Sequence, residues 1–132
     1  MELIKPFITA FICTIVLDII WLGFIAKNLY DKQIGFLLRK TNNNLAPVWS
    51  SAVVVYIAIA LGITLFVLPK ARDGLQDAFV WGAIFGAIMY MIYDFTNHAT
   101  LANWPYQMVF MDVLWGTFLC GTVSLVTAYI VS

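Results

Sequence analysis

Three aspartates, Asp18, Asp94 and Asp112, stand inside long apolar runs. An acid at the centre of a membrane helix costs about 2.5–3.5 kcal/mol on insertion scales, so each needs a physical reason to be there. Two of the settings repeat. "LDIIWLG" (Leu17 to Gly23) and "MDVLWG" (Met111 to Gly116) both read Asp-apolar-apolar-Trp. A spacing of three puts Trp21 on the helix face of Asp18 and Trp115 on that of Asp112, and an indole N–H can donate to a carboxylate. In "YDFTNHATLANWP" (Tyr93 to Pro105), Asn97 and His98 follow Asp94 at three and four, and Tyr90 extends that face toward the middle of the run. The expectation is a polar pocket walled by Asp18 and Trp21, by Tyr90, Tyr93, Asp94 and Asn97, and by Asp112 and Trp115. Carboxylates gathered in a low dielectric do not all stay ionised, which leaves a proton or a bound cation among them.

The elements that must carry these residues follow from composition. Hydrophobic residues make up 63% of the 132-residue chain and charged residues 11%, against about 25% charged in a soluble domain. A chain this short could not hide so much apolar surface in water. Crossing the hydrocarbon takes about 20 apolar residues as a helix, and four stretches qualify: about 4–26, 48–68, 78–98 and 106–130. The expected fold is all-α, a single integral membrane four-helix bundle over residues 1–132. Pro6, Pro47 and Pro105 sit where a first helical turn would begin, and Pro69 stops the second span. The first span is too long for a signal-peptide core, holds an aspartate, and has no small-x-small cleavage site after it. The linker from Lys27 to Ala46 is the long one. Tyr30, Ile34, Leu37 and Leu38 share a helical face there, so it reads either as a short amphipathic helix at the membrane surface or as a continuation of the first span.

Depth along the spans then relates the acids. Four spans put both chain ends on one side. At about 1.5 Å per residue in a core about 30 Å thick, Asp18 and Asp112 each lie roughly 9 Å from the opposite side, and Asp94 falls in the same leaflet.

Other classes are excluded or weakened. Net charge is zero and no basic block appears, which argues against nucleic acid. No nucleophile motif, phosphate loop or dinucleotide fingerprint is present. Cys13 and Cys120 lack metal-type spacing and read as small packing residues. Asp94 and His98 stand four apart, but with one histidine and no thiolate beside them neither a metal site nor a haem is expected. No cofactor is expected. Trp49, Tyr56, Trp81, Trp104 and Tyr106 read as an aromatic belt. Gly82 and Gly86, in "GAIFGA", let helices approach closely, either within the bundle or at a homo-oligomer face. Basic residues lean toward the side of the long linker, with Lys27, Lys32, Arg39 and Lys40 against Lys5, Lys70 and Arg72, which predicts that this side is cytoplasmic.

The chain resembles a family of small four-span bacterial membrane proteins grouped as a domain of unknown function. The resemblance rests on "LDIIWLGF", "NLYDKQIG", "FVLPKA", "GAIFG", "YDFTNHATLANWP" and "DVLWGTF", and covers nearly the whole chain. It implies the four-span topology, a multi-pass place in a bacterial inner membrane, and recurrent polar positions at Asp18, Trp21, Tyr93, Asp94, Thr96, Asn97, Thr100, Asp112 and Trp115. His98 stands where the family would have an apolar residue. The resemblance brings no reaction. Three functions stay open: a pocket for a small lipid-like or cationic ligand, with proton coupling; a membrane enzyme acting on a lipid; and a structural protein whose aspartates only hydrogen-bond helices together.

Overall fold

The computed structural model describes residues 2–42 and 44–132. Helix α1 (Ile4–Ile20) continues through a π-helical turn, Trp21–Ile25. The chain breaks at Ala26, whose φ of −107° and ψ of 6° leave helical geometry. The short α2 (Lys27–Ile34) then begins, closed by a 3-10 turn over Gly35–Leu37. A small ribbon follows, β1 (Lys40–Thr41) antiparallel to β2 (Asn44–Leu45), with Thr41 opposite Asn44. Helix α3 (Trp49–Gly62) closes in a second π-helical turn, Ile63–Val67, and a 3-10 turn, Leu68–Lys70. Helices α4 (Leu75–Thr100) and α5 (Tyr106–Val131) complete the chain.

Four segments, Ile4–Ile25, Trp49–Lys70, Leu75–Thr100 and Tyr106–Val131, are long and apolar enough to cross a membrane. They are the four spans expected from the sequence, with ends moved by a few residues. The linker resolves into a separate α2, so the first span does not simply continue. The ribbon was not foreseen, because two-residue strands in a polar linker leave no alternation to read. The prolines act near the expected places. Pro105 is the residue capping α5, and Pro69, which has no N–H to give the preceding turn, lies in the tightened end of α3.

The bundle has an end carrying both chain termini and an end carrying the linker and the α4–α5 connection. Helices α4 and α5 form the most extensive pair, α5 also packs on α1, and α1 on α3. Helix α4 meets α3 at its closing π turn, where the Phe85 ring rests against Gly62. The apolar core of the termini half gathers Ala10, Ile59, Ala60, Ile63, Val67, Leu119, Cys120 and Val123. A second cluster at the linker end joins Ile34 of α2 to Trp104, Met108 and Val109. Large apolar side chains such as Ile12, Val54, Ile88 and Leu114 face outward, as lipid-facing positions do.

Gly82 and Gly86 are both buried. A side chain on Gly82 would strike Ser124 and the Cys120 carbonyl, and one on Gly86 would strike the Gly116 carbonyl. Of the two uses the sequence allowed for this pair, packing inside the bundle is the one its surroundings show. Both cysteines are free.

Candidate functional site

The three aspartates collect at the linker end, each placed by a different helix. Asp18 is half-buried near the end of α1. Its two oxygens accept hydrogen bonds from the Tyr56 hydroxyl of α3 at 2.7 Å and from the Trp115 indole of α5 at 3.1 Å. Asp112, on the first turns of α5, is 6% exposed. It accepts a 2.5 Å hydrogen bond from the Tyr30 hydroxyl of α2, and Tyr30 in turn accepts one from the Trp21 indole at 3.2 Å. Burial, and then the Asp112 carboxylate, push the Tyr30 phenol far above its ordinary pKa, so it remains a donor at any physiological pH.

Asp94 differs from the other two. It is fully buried in the last turns of α4. Its nearest polar neighbours are the Asp112 carboxyl and the Trp104 indole, yet neither of its oxygens has a hydrogen-bond partner, and nor does the Trp104 N–H. The proximity and the missing bond are reconciled by chemistry. Two carboxylates are acceptors only, and a bond between them needs a proton on one. Asp18 and Asp112 also lie within electrostatic reach of each other, so the acids form one connected group.

The expected pairing of each tryptophan with the aspartate on its own helix is corrected. Trp115 serves Asp18 across the α1–α5 contact, and Trp21 reaches Asp112 only through Tyr30. The cause is stacking. The two indoles lie face to face, centroids 4.5 Å apart and 5° from parallel, which lays each ring against the opposite helix. Such an aromatic pair is worth about 0.5–1.5 kcal/mol beyond its buried area.

The remaining expected residues scatter around this core. Tyr90 packs on Gly116 within electrostatic reach of Asp18 and Asp112. Tyr93 is 55% exposed, meets Trp104 edge-on and has Asn97 beside its phenol. His98 turns away from the acids to stack on Tyr106, 3.9 Å between centroids. Thr96 and Thr100 are exposed, and the Thr100 hydroxyl bonds the Thr96 carbonyl. Among the described residues no His, Cys, Asp or Glu cluster could hold a metal ion.

Tyr30, Tyr56 and Trp104 were read from the sequence as a surface-helix residue and two belt aromatics. All three belong to the site. The overlooked signal is that a tyrosine or tryptophan carries a donor that must find an acceptor when buried, and the chain has buried acids in need of donors.

A cavity of about 470 Å³ opens beside the acid group. Helix α2 and the ribbon cover it with Lys27, Tyr30, Asp31, Ile34 and Asn44, while Tyr56, Met108 and Asp112 form its inner wall. Trp49 of α3 and Tyr93 of α4 stand at its rim, 63% and 55% exposed. The rim therefore lies on the apolar outer surface of the bundle. A salt bridge from Lys40 to Asp31, 2.9 Å, fastens the ribbon to α2.

Over residues 3–129 the chain matches the family described as "Predicted membrane protein (DUF2177)". It belongs to this family. No curated protein and no solved structure matches the chain. For the DUF2177 fold the four apolar helices agree with the family description, and the crossed acid–indole bonds are a feature that can be measured. In double-mutant cycles of reversible unfolding, Asp18→Asn is expected to couple to Trp115→Phe by about 0.6–1.7 kcal/mol, the span of side-chain hydrogen bonds between membrane helices. Its coupling to Trp21→Phe is expected to be near zero. Coupling to Trp21 in place of Trp115 would restore the within-helix pairing.

Proposed function

We propose that this multi-pass DUF2177 protein binds a small amphiphile bearing a cationic group, with the cation received by Asp112 and Asp94 and the apolar part lying in the cavity. The observation that carries the reading is a fully buried acid, Asp94, whose oxygens make no hydrogen bond and which has a second acid, Asp112, beside it on the cavity wall. Intramembrane acids are functional by default, and an acid kept only to join helices would be expected to have its donor, as Asp18 does. The cavity falls within the roughly 300–1,000 Å³ usual for small-molecule sites. A proton holding Asp94 and Asp112 together is exchanged for the incoming cation, which couples binding to proton release. Asp18, Trp115 and Trp21, tied to Tyr56 and Tyr30, form the fixed wall behind. Tyr90 packs from α4 onto Gly116 beside that wall, and Tyr93, with Asn97 next to its phenol, stands at the mouth.

Native mass spectrometry of the purified protein, wild type beside Asp94→Asn, tests this. Wild type is expected to retain an amphiphile that the folded variant has lost. Bare protein in both, with only thermal stability altered, would reduce the acids to interhelical hydrogen bonds. Turnover of a lipid by wild type, abolished in Asp94→Asn, would replace binding with catalysis.

A further inference from the structure

The face that α2 turns toward the cavity carries Lys27, Tyr30, Asp31 and Ile34, spaced i, i+3, i+4 and i+7. Its charges are not equivalent. Asp31 is neutralised by Lys40. Lys27 has no carboxylate partner among the described residues and reaches only the Asn44 side-chain oxygen, at 3.2 Å. It is also the first residue of α2, where the helix dipole adds to its positive charge. One turn further on, Tyr30 holds the buried Asp112. The cavity thus presents an uncompensated cation at its polar edge and an uncompensated acid at its inner wall. Lys27 and Tyr30 stand one helical turn apart on the same face of α2, so the cation and the acid that Tyr30 holds border the same cavity. A head group carrying a phosphate and an amine together would meet both charges.

We infer that the ligand is an ethanolamine phospholipid, taken from the bilayer through the mouth between Trp49 and Tyr93. Its phosphate lies on Lys27 and its ammonium on Asp112 with Asp94 behind. A plain amine would leave Lys27 without an anion, and an anionic glycerol lipid would offer Asp112 only hydroxyl donors and no positive charge. A quaternary ammonium carries no N–H for Asp112 to accept. The acyl chains follow the apolar wall of Ile19, Ala52 and Met108 out toward lipid, so only the head group and glycerol need fit inside. This inference rests on the binding function proposed above and adds the identity of the head group.

The test is native mass spectrometry of the full chain released from vesicles containing equal amounts of dioleoyl phosphatidylethanolamine, dioleoyl phosphatidylcholine, dioleoyl phosphatidylglycerol and oleylamine. Wild type is expected to retain phosphatidylethanolamine in preference to the others. Lys27→Gln should reduce that retention by about tenfold, the loss of one charge-assisted contact, and Lys27→Arg should restore it. Lys27 is exposed and outside the spans, so neither substitution disturbs the core. Oleylamine retained equally by wild type and Lys27→Gln, with phosphatidylethanolamine absent, would overturn the head-group assignment and leave the cationic pocket standing. Phosphatidylglycerol or phosphatidylcholine retained as well as phosphatidylethanolamine would also overturn the assignment. No amphiphile retained by any form would sink both the assignment and the pocket.

Discussion

Asp18→Asn will lower the stability of the bundle by about 1–2 kcal/mol, the difference between hydrogen bonds to a charged and to a neutral acceptor, whereas Asp94→Asn will leave it unchanged or raise it. The same chemical change acts oppositely because the two acids meet opposite partners. Asp18 accepts from two donors, the Tyr56 hydroxyl and the Trp115 indole. An asparagine there can still accept from the Trp115 indole and donate to the Tyr56 hydroxyl, which turns to accept, so the bonds survive but lose the strength that a charged acceptor gives them. Asp94 faces another acid, and its oxygens make no hydrogen bond although the Trp104 N–H lies nearby. An asparagine there can donate to Asp112 without borrowing a proton. Equilibrium unfolding in mixed micelles, both variants beside wild type, reads the two signs directly. If both substitutions destabilise to a similar degree, Asp94 is a structural hydrogen-bonding residue like Asp18, and the case for a site weakens. If Asp94→Asn is neutral or stabilising and also loses its amphiphile, the protein retains a local instability for the sake of binding, as functional sites commonly do.

How much of this was legible in the sequence follows from the physics of each signal. The four spans were readable because hydrocarbon thickness imposes a length that composition reveals. The shared leaflet of Asp18, Asp94 and Asp112 was readable for the same reason, since rise per residue converts position into depth. What depth cannot supply is rotation about the helix axis and the choice of neighbour. The crossed bonds of Trp21 and Trp115 depend on how α1 and α5 meet, which no residue pattern announces. Tyr30 and Tyr56 escaped for a related reason. Each sits on a segment whose local pattern has an adequate surface explanation, and only the tertiary contact shows which acid it serves. The cavity is a product of the same level. Helix α4 leans on the closing turn of α3, while Trp49 at the opposite end of α3 and Tyr93 on α4 both border the opening.

The most damaging single change expected in the bundle is Gly86→Ala. A methyl group there would be driven into the Gly116 backbone carbonyl and the Cys120 side chain. A backbone carbonyl inside a helix cannot swing aside as a side-chain tip can, so α4 and α5 must separate. Overpacking of this kind costs about 1–3 kcal/mol and occasionally more. Gly23→Ala is the control. It lies on the π turn with nothing within 4 Å of the added carbon, so its stability should match wild type or exceed it by the helix preference of Ala over Gly, about 0.5–1 kcal/mol. Gly62→Ala should fall between, because the obstacle is the Phe85 ring, which can turn. The consequence for the site follows from the seam. Gly82, Gly86, Tyr90 and Asp94 recur every four residues on α4, and Asp112, Gly116, Cys120 and Ser124 do the same on α5. The close approach made at Gly86 and Gly116 is therefore continued, two turns on, as the approach of Asp94 to Asp112. Gly86→Ala should cost both thermal stability and bound amphiphile, although it lies well inside the bundle and lines no cavity. Stability lost with amphiphile retained would mean that the acid pair is held by the linker helix α2 alone, and not by the glycine seam.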